Sequence, residues 1–102
     1  MNTAEETIID LQALAQGLPA WRSQLLGRIG SARLKVLRMD EAPYAEEAHD
    51  FTEALLVLDG VLRLRVDGAL RVVSAGQLCL VPAGVAHAVG EGSTGTLLIL
   101  DT

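Results

Sequence analysis

Gly76-Gln77-Leu78-Cys79-Leu80-Val81-Pro82-Ala83-Gly84-Val85-Ala86-His87 is the stretch on which the fold turns. Leu78 and Leu80 alternate with Cys79 and Val81, the period of two expected of a strand. Pro82-Ala83-Gly84 reads as a tight turn, and a short strand over 86–89 then carries His87. Upstream lies a second phrase, Glu47-Ala48-His49-Asp50-Phe51-Thr52-Glu53, which leads into the apolar run Ala54-Leu55-Leu56-Val57-Leu58 and on to Asp59-Gly60. It holds the other of the chain's two histidines. If the fold joins the phrases, Glu47, His49, Glu53 and His87 form one site of oxygen and nitrogen donors.

Working outward, the remaining chain is mostly strand. Ala54 to Leu58 is apolar on both alternating faces, which implies a strand buried on both sides, and Asp59-Gly60 reads as a turn after it. Leu62, Leu64 and Val66 alternate with Arg63 and Arg65; beyond Asp67-Gly68, Leu70 and Val72 alternate with Arg71. A two-residue Asp-Gly loop would set Arg65 opposite Leu70 and Arg63 opposite Val72. A three-residue loop, with Gly68 left-handed in a bulge, pairs Leu64 with Leu70 and Leu62 with Val72, and is the register expected. It places Arg63 opposite Arg71.

Before the first phrase, Gln24–Ile29 and Ala32–Met39 flank Gly30-Ser31 as a hairpin. Leu34, Val36 and Arg38 alternate there with Arg33, Lys35 and Leu37, so the pair is only partly amphipathic. Asp40 to Pro43 is a loop. Ile8, Leu11, Leu14, Ala15 and Leu18 fall at helical spacing behind Glu5 and Glu6, with Gly17 and Pro19 closing the segment. Thr7 to Asp10 could also be a short strand; a short helix around residues 10–17 is the reading adopted. Residues 1–7 are polar and read as loose or as a subunit contact. After Val89 come a loop over 90–95 and a last strand over 96–100. Short strands with regular turns and one short helix make an all-β sandwich or barrel.

At 102 residues the chain is a single domain, with an N-terminal segment over 1–20 and a barrel over 22–101. Only three residues are aromatic, so Leu, Val, Ala and Ile must build the core. A net charge of −5 argues against nucleic acid and anionic membrane surfaces as partners. One cysteine makes no internal disulfide, and no apolar run approaches the ~18 residues that span a bilayer. These features fit a soluble cytoplasmic protein.

Residues two apart on a strand share a face, so Glu47 and His49 are expected to project together. Imidazole with carboxylates suits a first-row divalent ion such as Mn, Fe, Ni or Zn. Asp40, Glu41, Glu46, Glu47, Asp50 and Glu53 crowd one stretch, with no Lys or Arg between Arg38 and Arg63. Convergence of these carboxylates should raise at least one pKa, and without an ion the mouth should repel anionic ligands. The plainer reading is a solvated acidic loop and a satisfied polar histidine. Trp21, Tyr44 and Phe51 are candidates to line a pocket, with a core role the default for Trp21. Arg63, Arg65 and Arg71 read as a solvated face or a dimer contact, Cys79 as an inert core thiol, and Glu91 as an exposed loop residue.

The two phrases resemble the signature motifs of the cupins. Gly76, five residues, Pro82, one residue, Gly84, two residues and His87 match the second motif; His49, three residues, Glu53, six residues and Gly60 match the later part of the first. The resemblance covers residues 47–91. It implies a cupin-type jelly-roll barrel, a double-stranded β-helix, that is often a homodimer. It also implies a metal held in the mouth by two histidines and a glutamate of motif one and a histidine of motif two. Carried over without a gap, those positions are Glu47, His49, Glu53 and His87. Glu47 stands where the family has histidine, Gln77 where an acidic residue is common, and Glu91 where asparagine closes motif two. A second alignment puts Tyr44 before the first ligand position, which moves the pair to Ala45 and Glu47 and leaves His49 in a loop. The resemblance allows a metal-dependent oxygenase, isomerase or decarboxylase with a small-molecule ligand in the barrel mouth. It equally allows a metal-free module that binds a small molecule or dimerises.

Overall fold

The computed structural model describes residues 7–102, and for Tyr44 and Ala45 the backbone alone. Glu5, Glu6 and the rest of the N-terminal stretch read as a subunit contact lie outside the described residues, Thr7 excepted. In order the elements are α1 (Leu11–Gln16), β1 (Gln24–Ile29), β2 (Ala32–Met39), β3 (Tyr44–Glu47), β4 (Glu53–Val66), β5 (Ala69–Ser74), β6 (Leu78–Val81), β7 (His87–Val89) and β8 (Thr94–Asp101). All strand pairs are antiparallel, in one curled sheet ordered β1-β2-β8-β4-β7-β3 with β5 and β6 also on β4. The all-β barrel with a short N-terminal helix is therefore what the chain forms.

The helix is short and capped. Asp10 Oδ1 accepts from the Ala13 amide at 3.1 Å, and Gly17 closes the other end. Residues 7–10 are not a strand. Ala15 is buried, while Ile8, assigned to the same apolar stripe, stands in solvent.

Strand β4 organises the sheet and departs from the expected plan. The chain does not turn at Asp59-Gly60; β4 runs unbroken through it, with an irregularity in the pairing between Val57 and Asp59. One edge of β4 pairs first with β8 and then with β7; the other pairs first with β6 and then with β5. A strand that changes partners on both edges must bend, and glycine makes the bend. Gly60 has φ +78° and faces Gly95 of β8, itself at φ +102°. A Cβ on either would fall on backbone of the other strand, at the Thr94 carbonyl or the Asp59 carbonyl.

The β4–β5 turn corrects a second expectation. Val66 pairs with Ala69 across a two-residue Asp67-Gly68 loop, both residues at positive φ, as a type I′ turn requires. Arg63 faces Val72, Arg65 faces Leu70, Leu64 faces Arg71 and Leu62 faces Val73. Leu62, Leu64 and Val73 enter the core, whereas Leu70 and Val72 point outward and are exposed. Parity had assigned those two to the core; the tight turn decides otherwise, and the Arg63–Arg71 clash never arises.

The core lies on the concave face: Leu37, Met39, Leu55, Val57, Leu62, Leu64, Val73, Val81, Leu97 and Ile99. Val57 is fully buried, but Ala54, Leu56 and Leu58 on the opposite face are only half-buried, so Ala54–Leu58 is not sealed on both sides in the single chain.

Candidate metal centre

The two phrases run antiparallel to each other from both ends. Gly76 donates to the Val57 carbonyl at 2.7 Å, and Leu78, Cys79, Leu80 and Val81 pair in turn with Leu56, Leu55, Ala54 and Glu53. The Gly84 amide reaches the His49 carbonyl at 2.6 Å, and His87 pairs with Glu47 across β3 and β7. Register alone therefore brings Glu53, His49, Glu47 and His87 to one end of the barrel.

Their side chains meet there. One ligand atom each from Glu47, His49 and His87 lies within 4.8 Å of the other two. His49 Nε2 is 3.1 Å from Glu47 Oε2, and His87 Nε2 is 3.4 Å from Glu53 Oε1. Glu53 touches His87 but is not one of the trio that lies within 4.8 Å. His49 lies beyond the end of β3, so strand parity is not what aligns it with Glu47. Its ring stacks on Phe51, with centroids 4.7 Å apart and planes at 5°, and sits 5.3 Å from the His87 ring. This loop conformation turns the imidazole towards Glu47 even though His49 is off the strand.

Donor chemistry fits a cation. His87 Nδ1 lies 3.2 Å from the Val85 carbonyl oxygen, which can only accept. In the neutral ring the proton therefore belongs on Nδ1, and Nε2 keeps its lone pair for an ion. Bonds of about 2.0–2.2 Å hold donor atoms up to ~4.4 Å apart, so a trio already within 4.8 Å needs only small shifts. Burial raises the Glu53 carboxyl above its ordinary value, opposed by His87, His49 and Lys35 and reinforced by Asp101. Desolvation leads, so the expected repulsion among the acidic loop residues is not the main cause. Asp40, Glu41, Glu46 and Asp50 are exposed, as the plain reading of a solvated loop has it.

The cluster opens on a cavity of about 280 Å³ inside the barrel, near the lower end of volumes that enclose small molecules. Leu37, Leu62, Leu97 and Ile99 supply apolar wall, and Phe51 and Trp21 supply aromatic faces. Trp21 also packs on the core, with φ +63° and its amide on the Arg38 carbonyl at 2.9 Å. Sequence reading missed three residues altogether: Arg33 and Lys35 of β2 and Asp101 of β8 line this cavity. Two cations therefore sit among the carboxylates Glu47, Glu53 and Asp101. The oppositely charged Asp101, on the adjacent strand β8, was the available signal.

The other candidates fall elsewhere. Glu91 is exposed in a shallow groove with Glu41 and Arg63. Burial pushes the half-buried Cys79 thiol up, against the pull of Arg71, which suits an inert role. Gln77 Oε1 accepts from the Ser74 amide at 2.8 Å, so it keeps the acceptor an acidic residue would bring to that turn.

A family model for the cupin domain matches residues 38–102. The chain is a cupin. Among solved structures, an RmlC-like cupin from Shewanella frigidimarina shares 26% identity at a TM-score of 0.69, covering 78% of this chain and 72% of its own. A cupin-2 domain protein from the same organism superposes at TM-score 0.81 with 18% identity, covering 91% of each chain. A Neisseria meningitidis protein reaches 0.80 with 18% identity, over 93% of this cupin and 98% of its own chain. Likeness at such identities speaks to the barrel alone. No curated protein matches. Among the described residues, no helix is long and apolar enough to cross a membrane.

Proposed function

We propose that this cupin binds a divalent metal ion through Glu47, His49, Glu53 and His87 and takes a small molecule beside it in the barrel. The observation that carries the reading is the convergence of the Glu47, His49 and His87 donor atoms within 4.8 Å at the lip of a ligand-sized cavity. Glutamate in place of the family's usual histidine keeps a donor and adds negative charge, which favours Mn or Fe(II) over softer ions among Mn, Fe, Ni and Zn. A bound ion supplies Lewis-acid polarisation of a ligand oxygen. The chain's own residues orient that ligand: Phe51 and Trp21 wall the cavity, and the Val85 carbonyl fixes the His87 ring. Elemental analysis of the purified protein, after incubation with Mn, Fe(II), Ni and Zn, tests the reading. Near-stoichiometric metal is expected, lost in both His87→Ala and Glu53→Ala; no uptake of any of the four ions refutes it.

A metal-free binding module has one observation in its favour. Glu47 with His49 and Glu53 with His87 already form two carboxylate–imidazole pairs, each of which is satisfied without an ion when one proton lies between its partners. Absence of metal together with a co-purified organic ligand selects that reading.

We also assign this cupin to the cytoplasm, which its single cysteine suits, and to a homodimer. Leu70, Val72, Leu78 and Leu80 form an outward apolar set on β5 and β6, the kind of surface that association covers. A sizing column is expected to report about twice the 10.8 kDa chain mass. Elution as a monomer counts against the dimer.

A further inference from the structure

The cavity holds a second charged group on β2 and β8. Arg33 Nε donates to Asp101 Oδ1 at 2.7 Å, and Lys35 Nζ lies 2.6 Å from Asp101 Oδ2. The Asp101 side chain is 1% exposed, whereas Arg33 and Lys35 keep 35% and 20% of theirs. All three line the same cavity as Glu47, His49, Glu53 and His87. Asp101 neutralises one of its two cations, and Glu53, whose carboxylate Lys35 also stabilises, shares the other. An ammonium has three donors and a guanidinium five, so each cation has donors beyond those spent on Asp101. The register also ties this group to the metal centre. Arg33 pairs with Asp101, and Leu100 pairs with Ala54, which sets Asp101 beside Glu53 in one inward-facing row.

A purely structural role explains this poorly. Tying β8 to β2 needs one cation on the buried carboxylate, and the strands are already paired over seven residues each. A fixed acid holding two cations against a cavity keeps them oriented, with the cost of orienting them met during folding.

We propose that the cavity takes a small carboxylic acid whose carboxylate sits on Arg33 and Lys35, with Asp101 holding both cations in place. The proposal shares with the proposed function only the placement of the ligand in this cavity; the carboxylate end needs no ion. A guanidinium fork matches the planar geometry of a carboxylate, and the lysine adds a point charge beside it. Leu37, Leu97 and Ile99 then cover the apolar part of the acid.

Isothermal titration of the full chain, metal-stripped and Mn²⁺-loaded, tests this with lactate, pyruvate and malate against their neutral amides. In the stripped protein the acids are expected to bind roughly ten- to a hundredfold tighter than the amides, the scale of hydrogen bonds to charged groups. Arg33→Gln and Lys35→Gln should each weaken the acids by about tenfold and the amides by much less. Arg33→Lys, which keeps a cation for Asp101, should retain most of the preference and guards against misfolding of the glutamine variants. Equal binding of acids and amides, or no binding of any acid in either form, overturns the proposal. So does a preference that appears only with Mn²⁺ and survives Arg33→Gln, because the acid then sits on the ion. Loss of metal uptake with the acid preference intact in the stripped protein would sink the metal reading and leave this one standing.

Discussion

Gly60→Ala is expected to destabilise this cupin by at least ~3 kcal/mol, and Gly95→Ala by as much. Two effects add. An alanine at φ +78° costs about 1–2 kcal/mol in backbone strain. Its Cβ would also fall on the Thr94 carbonyl, a backbone atom that can move only if the β4–β8 pairing opens. That pairing positions Glu53 against Asp101 and carries β4 from one set of partners to the other. A domain of this size has roughly 5–15 kcal/mol of stability in all, so either change consumes a large share. Gly68→Ala is the control. It has φ +81° but nothing near its Cβ, so only the strain of about 1–2 kcal/mol applies. Urea unfolding of the three variants separates the effects, and equal losses at Gly60 and Gly68 would show that the glycine crossing is not a close packing point.

The second large effect belongs to Asp101. Removing one partner of a fully buried ion pair costs about 3–5 kcal/mol; with Arg33 35% exposed, Asp101→Asn should cost nearer 2–3 kcal/mol at neutral pH. Burial works to raise this carboxyl, but hydrogen bonds from Lys35 and Arg33 outweigh it and hold the group below the ordinary carboxylate range. The sign follows. As pH falls the unfolded chain protonates first, near pH ~3.9, while the folded chain still holds the carboxylate. Asp101 therefore contributes fully above about pH 5, and its contribution fades as pH falls through the folded value. Unfolding of the native protein and Asp101→Asn across pH 2–8 is expected to show a gap that is constant above about pH 5 and closes in acid. A gap that does not change with pH would mean that the side chain acts by packing and not by charge.

The barrel was legible because its two phrases fix each other. A Gly-Pro-Gly-His spacing and a His-Glu-Gly spacing each specify turns and strand lengths, and the structure pairs them residue by residue from Gly76 with Val57 to His87 with Glu47. What misled was the choice of face. Leu70 and Val72 are as apolar as any core pair, but a type I′ turn sets their parity and sends them outward. On β2, Leu34 and Val36 alternate with Arg33, Lys35 and Leu37 with nothing to mark the inward set; Arg33, Lys35 and Leu37 face the cavity while α1 packs on the strand. Where both faces of a strand carry apolar residues, alternation alone does not say which is concave, and the cations inside the barrel stayed hidden for that reason. Glu47 and His49 meet although the reason expected for it was wrong: the bend after β3 and the Phe51 stack do what strand parity was to do.

The central claim is that Glu47, His49, Glu53 and His87 hold one divalent ion, and X-ray absorption at the metal edge of the Mn²⁺-loaded protein tests it most directly. The expected spectrum has a nitrogen and oxygen shell in which two ligands scatter as imidazole, falling to one in His49→Ala. A spectrum with no imidazole scattering, or one unchanged in His49→Ala, would contradict it.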